Sequence, residues 1–466
     1  MSLAMFRARA PRRPAHPEAR CSAQVRAFRL PAALALAALA VVAPLRPAQA
    51  ATDVQVITSP GGITAWLVEE PSIPMLAIEM QFQAGASHEP EDRPGVTDFL
   101  AHMFDEGAGD LDSAAFSARA DELALRAGFD AGRDGFSVSA MMLTENRDAS
   151  VDLLRLALTE PRFDADAMER VRNGLLSGLA GDETDPGAIL GKAWREALFG
   201  DDPYARPVAG TVESITAMTA DDLRAMRAVA LNREGVAVGV VGDITAEELG
   251  PLLDRLLGDL PSEPVAPLPR AELSADRGLE VIALDVPQSS ATLVAEGLDR
   301  DDPDFIPAYV MNHIFGGGGF SSRLTEEVRE KRGLTYSVYS YLAPYDRTAL
   351  IAAGVSSANA RIAEAVEVIK AEWARMRDEG ATEEELEAAQ RYLTGAYPLR
   401  FDSNGKIAGQ LAGLMSEGFG PDYIENRNAM IEAVTLDDIS RVAKRLLDPS
   451  KLKVVVVGQP EGLASN

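Results

Sequence analysis

Asp98 and His102 stand four residues apart in Gly95-Val-Thr-Asp98-Phe-Leu-Ala101-His102-Met-Phe-Asp-Glu-Gly107. On a helix that spacing puts a carboxylate and an imidazole one turn apart on the same face. Such a pair can share a metal with a further carboxylate such as Glu183, or can simply form a hydrogen bond on the helix surface. Ala101, between the two, offers only a methyl group and no proton chemistry. A second notable run, Phe315-Gly-Gly-Gly-Gly-Phe-Ser-Ser-Arg323, has no following Gly-Lys-Ser/Thr and is therefore not a phosphate loop. Gly316, Gly317, Gly318 and Gly319 can serve as a helix stop that needs positive φ.

The elements that position these residues repeat. Gly258-Asp-Leu-Pro-Ser-Glu-Pro-Val-Ala-Pro-Leu-Pro269 cannot continue a helix or a central strand, and it separates two similar halves. Met218-Thr-Ala-Asp-Asp-Leu resembles Val434-Thr-Leu-Asp-Asp-Ile, each a Thr N-cap followed by an acidic first turn. Each leads to a buried-type strand, Val236–Gly242 and Leu452–Gly458. Paired strands open both halves, Ile63–Glu69 with Met75–Gln83 and Leu279–Asp285 with Ala291–Glu296. Amphipathic helices follow over Ser113–Gly128, Thr144–Glu160, Asp164–Leu179, Asn359–Glu379 and Thr382–Phe401. Strands grouped early and late with helices between them predict an α+β fold. Each half is expected to be a layered sandwich, an antiparallel-rich sheet with helices on one face. The expected division is 1–50, 51–257, a linker at 258–277, and 278–460. In this repeat Ala101-His102 lines up with Asn312-His313, so an imidazole that caps carbonyls or packs on the next strand would account for both histidines.

Composition narrows the classes. The 466 residues are 47% hydrophobic, which is too rich for a disordered acidic chain, and the net charge of −26 points away from nucleic acid and anionic membrane surfaces. Acidic clusters such as Glu89-Pro-Glu-Asp92 read as solvated loops. Arginines 7 to 29 precede the apolar run 30–42, and Ala48-Gln49-Ala50 follows. That is the pattern of a signal peptide cleaved after Ala50, with a periplasmic or secreted product and no membrane span thereafter. Eight basic residues and one acidic residue would leave with it, taking the charge to −33. Cys21, the sole cysteine, would leave too, so no disulfide, thiolate metal site or cysteine nucleophile remains.

The Asp98–His102 segment resembles the metal helix of the pitrilysin or insulinase family of inverted zinc peptidases, whose pattern is H-x-x-E-H, and the resemblance covers essentially the whole chain after residue 50. In that family two His and a distant Glu hold zinc while the intervening Glu is the general base. The resemblance puts the first His at Asp98, the base at Ala101, the second His at His102 and the distant ligand at Gly178, with Asp182 and Glu183 nearby. Only His102 survives, so no catalytic residue and no metal ligand is expected in this chain. The segment Phe320-Ser-Ser-Arg-Leu-Thr-Glu-Glu-Val-Arg329-Glu-Lys-Arg-Gly-Leu-Thr-Tyr336 closely resembles the family's C-terminal signature. There an Arg and a Tyr, here Arg329 and Tyr336, bind the peptide backbone, and the glycine loop lets the peptide approach. A guanidinium and a phenol suit carbonyl oxygens and developing negative charge. Equally, Arg329 could pair with a helix acid such as Glu326 and Tyr336 could be an ordinary strand residue.

The resemblance thus implies a clamshell of the two halves and a catalytically silent subunit. Its partner, in a heterodimer or higher assembly, would carry H-x-x-E-H and the zinc, and the two would share a chamber for peptide substrates. A structural or peptide-holding protein without such a partner is a second reading. A stand-alone metallopeptidase using Asp98, His102 and Glu183 is a third.

Overall fold

The computed structural model describes residues 53–465. The expected signal peptide, its cleavage point and Cys21 lie outside the described residues. The described residues form one compact unit.

The first half runs β1 (Gln55–Thr58), β2 (Thr64–Glu69), β3 (Met75–Phe82), α1 (Val96–Ala101), the short β4 (Gly107–Ala108) and β5 (Leu111–Asp112), and α2 (Ser113–Leu123). It continues with β6 (Arg126–Ala131), β7 (Phe136–Leu143), α3 (Arg147–Thr159), α4 (Ala165–Asp182), α5 (Pro186–Phe199), α6 (Val212–Ala217), α7 (Ala220–Ala230), β8 (Ala237–Gly242) and α8 (Ala246–Leu257). The second half runs β9 (Gly278–Ala283), β10 (Gln288–Glu296), α9 (Phe305–Asn312), β11 (Val338–Tyr345), β12 (Thr348–Ala358), α10 (Ile362–Glu379), α11 (Glu383–Ala396), α12 (Asn404–Ser416), α13 (Tyr423–Glu432), α14 (Leu436–Leu446) and β13 (Lys453–Gly458).

The two sheets have the same order. The first is β1-β2-β8-β3-β7-β6 and the second is β11-β12-β10-β13-β9, which matches the first without its β1 edge. In each, one parallel pair, β2 with β8 and β9 with β13, adjoins antiparallel neighbours. The Thr caps fall where the sequence places them: Thr219 and Thr435 each form a capping box, with Asp222 and Asp438. The helix expected over Ser113–Gly128 is shorter. Ala124 takes a left-handed turn at φ 52°, and the chain re-enters the sheet as β6.

Alternation along the strands explains a feature that helical periodicity does not disclose. Leu67, Leu76, Ile78 and Val240 point into their own half's helical layer. Trp66, Ala77 and Val241 point the other way and pack on Ala408 and Leu411 of α12, a helix of the second half. Reciprocally, Val294, Ala352, Val455 and Val457 of the second sheet pack on Trp194 and Leu198 of α5, from the first half. The halves therefore exchange helices. Buried polar contacts join them as well: Arg347 grips Asp202 at 3.0 and 2.6 Å, and the Tyr204 hydroxyl donates to Asp134 at 2.5 Å while accepting from the Arg347 amide at 3.0 Å.

Candidate functional site

The six-residue helix α1 is fixed at its start by Glu89. Its carboxylate accepts from the Gly95 amide at 2.9 Å and the Thr97 amide at 2.8 Å, satisfying N-terminal donors that a short helix leaves open. Glu89 is therefore buried rather than part of a solvated loop, and burial raises its pKa. Gly95 itself has φ 86°, and a β-carbon there would meet Gly210 Cα at 2.6 Å. Phe99, Leu100 and Ala101 then turn into the core. His102 closes the helix: its Nδ1 donates to the Asp98 carbonyl at 2.9 Å, while the Asp98 carboxylate lies 4.0 Å away. Asp98 is half-buried, and loss of solvent raises its pKa.

Ala101 and His102 form one wall of a cavity of about 530 Å³, whose other walls include Gly128 of β6 and Gly174, Gly178 and Asp182 of α4. The structure thus brings Ala101, His102 and Gly178 to one space. Asp98 and Glu183 do not line it. A β-carbon at Gly178 would meet nothing within 4 Å, so the position is open. Glu106, on the rim, is engaged by Arg170 and accepts from the Ser113 hydroxyl at 2.6 Å.

These residues do not fit a zinc ion. The four family positions hold a carboxylate, a buried methyl, an imidazole bonded back to its own helix, and a hydrogen atom. Among the described residues no three His, Cys, Asp or Glu side chains come together as a metal site.

In the second half His313, the counterpart of His102, is buried and stacks on Tyr392 with centroids 5.1 Å apart. Two histidines at equivalent places thus do different work, one capping and one packing. The chain then passes through irregular helical turns. Gly316 is held against β11, where a β-carbon would meet Ser340 Oγ at 2.5 Å, and Gly319 has φ 58°. Gly317 and Gly318 lie between them in the same turn, closely packed on Asn312 and His313. Gly316, Gly318 and Gly319 therefore have a backbone reason to be glycine, and Gly317 is closed in by the Asn312 side chain.

The charged residues of the Arg/Tyr signature divide into two sets. Arg323 is buried and bidentate to Glu385, both contacts at 2.6 Å, and Glu327 is buried between Lys331 at 2.8 Å and Arg332 at 2.7 Å. Arg329 is not used in this way. Glu326 pairs instead with Lys331 at 3.0 Å, and Arg329 meets only its neighbour Glu330, at 3.3 Å. Its guanidinium lies 4.6 Å from the ring centroid of Phe320 and 4.8 Å from that of Tyr336. Tyr336 precedes β11 in a loop and is 85% exposed, and Phe320 is 75% exposed. Arg329 does pair with a helix acid, Glu330 in place of Glu326, and Tyr336 lies in the loop before the strand, where the guanidinium also stacks between the two exposed rings. Phe320 was not singled out from the sequence. Its signal was an aromatic side chain between glycine and serine, with no apolar period to bury it.

Two family profiles match the chain. Residues 65–212 match the insulinase family, peptidase family M16, and residues 217–393 match the M16 inactive domain. A Helicobacter pylori protein named as the non-peptidase homolog YmxG is 25% identical over 83% of this chain and 89% of its own length. A Streptomyces coelicolor protein named as an uncharacterized zinc protease is 26% identical over 84% of this chain and 86% of its own. Among solved structures, a peptidase M16 inactive domain from Pseudomonas fluorescens superposes with a TM-score of 0.83 at 28% identity, covering 89% of this chain and 99% of the other. Taken with the missing base and the unfit metal position, these likenesses identify the chain as an inactive member of the insulinase, or pitrilysin, family M16.

Proposed function

We propose that this chain is the non-catalytic subunit of a heteromeric zinc peptidase of its own family. The partner carries H-x-x-E-H and the zinc, and this chain contributes Arg329, Tyr336 and the loop Gly316–Gly319 to a shared peptide chamber. The observation that carries the reading is the contrast within one segment. Arg323 and Glu327 are spent on internal pairs, whereas Arg329 is held between two exposed rings with no internal carboxylate beyond its neighbour. A guanidinium steadied by aromatic faces keeps its edge donors for carbonyl oxygens. The expected leader at 1–50 places the assembly in the periplasm or outside the cell. No described helix is long and apolar enough to cross a membrane.

Mixing the chain with a co-purifying H-x-x-E-H protein is expected to give chelator-sensitive peptide cleavage that neither shows alone. Arg329→Ala with Tyr336→Ala should lower kcat/KM of the mixture by at least about tenfold, the scale of losing preorganised donors. An unchanged rate on adding this chain defeats the reading. If instead peptides bind the chain and no catalytic partner exists, it is a peptide-holding protein.

A further inference from the structure

A second cavity, of about 220 Å³, lies in the second half between α9, α12, α13 and the turn after α11. It is unlike the first in chemistry. Arg300, Arg400 and Arg427 line it together with Tyr309, Tyr397 and Tyr423, and the single acid on its wall, Glu417, is taken by Arg300 at 2.7 Å. Two cations are left uncompensated in a chain whose net charge is −26.

Arg427 is only 5% exposed, and a buried guanidinium is costly without a counter-ion. Its contacts are neutral. It donates to the Leu393 carbonyl at 3.2 Å, to Asn428 Oδ1 at 3.3 Å and to the Tyr309 hydroxyl at 3.5 Å, and it lies over the Tyr397 ring at 4.2 Å. The Tyr397 side chain is 94% buried, and its hydroxyl has no hydrogen-bond partner. A buried donor of this kind is expected to have an acceptor. Burial also raises the Tyr397 and Tyr423 pKa values, so both phenols remain donors at neutral pH. On the α12 side the wall includes Gly409 and Gly413 beside Gln410 and Leu414, and a β-carbon at Gly413 would meet nothing within 4 Å.

We propose that this cavity binds a small oxyanion, a carboxylate or phosphate group, held by the Arg427 and Arg400 guanidiniums and by the Tyr397 hydroxyl. The anion supplies the charge that Arg427 lacks and the acceptor that Tyr397 lacks. The aromatic walls fit the remainder of a small ligand. The inference is independent of any partner subunit, since all these residues belong to one half of this chain.

Calorimetric titration of the full chain with sodium phosphate, and separately with sodium succinate, against sodium chloride at equal ionic strength tests it. At least one anion is expected to bind saturably at one site. Phosphate alone identifies a phosphate ligand, succinate alone a carboxylate, and both a shared oxyanion site. Arg400→Gln, at an exposed position, should weaken binding about tenfold or more, the scale of one charge-assisted hydrogen bond. Gly413→Leu should abolish it by filling the cavity without altering charge. Arg427→Gln should abolish it too, and if that variant does not fold the other two still decide. No saturable binding of either anion, or binding in Arg400→Gln and Gly413→Leu equal to the parent, overturns the proposal.

Discussion

Gly239, in the middle of β8, lies directly under the Ala408 carbonyl of α12, and a β-carbon on Gly239 would sit well inside contact distance of that oxygen. Glycine in a central strand gives up packing and backbone entropy, and a close approach of another backbone is what offsets it. Here the approaching backbone comes from the other half. Gly239→Val should therefore loosen the exchange of helices and cost about 2 kcal/mol or more by overpacking, read as a lower urea midpoint with an unchanged slope.

The signature arginines should separate by stability. Arg323→Ala removes one partner of a buried bidentate pair and should cost about 3 kcal/mol. Tyr336→Ala removes an exposed group and Arg329→Ala a half-buried one whose only ion pair is with its exposed neighbour Glu330, so each should move stability by less than about 1 kcal/mol. Urea unfolding of the three variants checks this, and a large loss for Arg329→Ala would show a structural residue rather than a substrate-binding one.

Glu79 on β3 faces the α12 side of the sheet, and its pKa is pushed up to about 7, by burial first and by nearby Asp130 second. The unfolded chain releases this proton near the ordinary glutamate value. Between roughly pH 4.5 and 7 the folded state holds a proton that the unfolded state has lost, so stability falls as pH rises through that window. Glu79→Gln should flatten that slope and raise Tm at pH 8, and a melting series from pH 4 to 8 for both chains measures it.

The register of the degenerate metal positions can be tested by restoring it. Asp98→His, Ala101→Glu and Gly178→Glu together should bind one zinc per chain, measured by elemental analysis, whereas the parent should bind none. The open space at Gly178 leaves room for the new side chain, and replacing a mid-helix glycine gains up to about 1 kcal/mol of helix propensity. Failure of the folded triple variant to take up zinc would show that Asp98 or Gly178 is not the ligand position in this register.

Local signals carried much of this protein. Thr219 and Thr435 announced their helices because a cap is a contact within four residues, and six of the sheet strands showed in short apolar or alternating runs, whereas β6, β7, β11 and β12 did not. The loss at Ala101 was equally legible, since a methyl group has no proton chemistry in any fold. What the chain did not disclose depends on which distant segments meet. Nothing in the period of 186–199 or 404–416 says that each helix covers the other half's sheet, because an apolar stripe states that a face is buried and not against what. Likewise the residues next to Arg323 and Arg329 do not say what each guanidinium meets. Only tertiary packing set Glu385 beside the first, and left the second between Phe320 and Tyr336 at the surface.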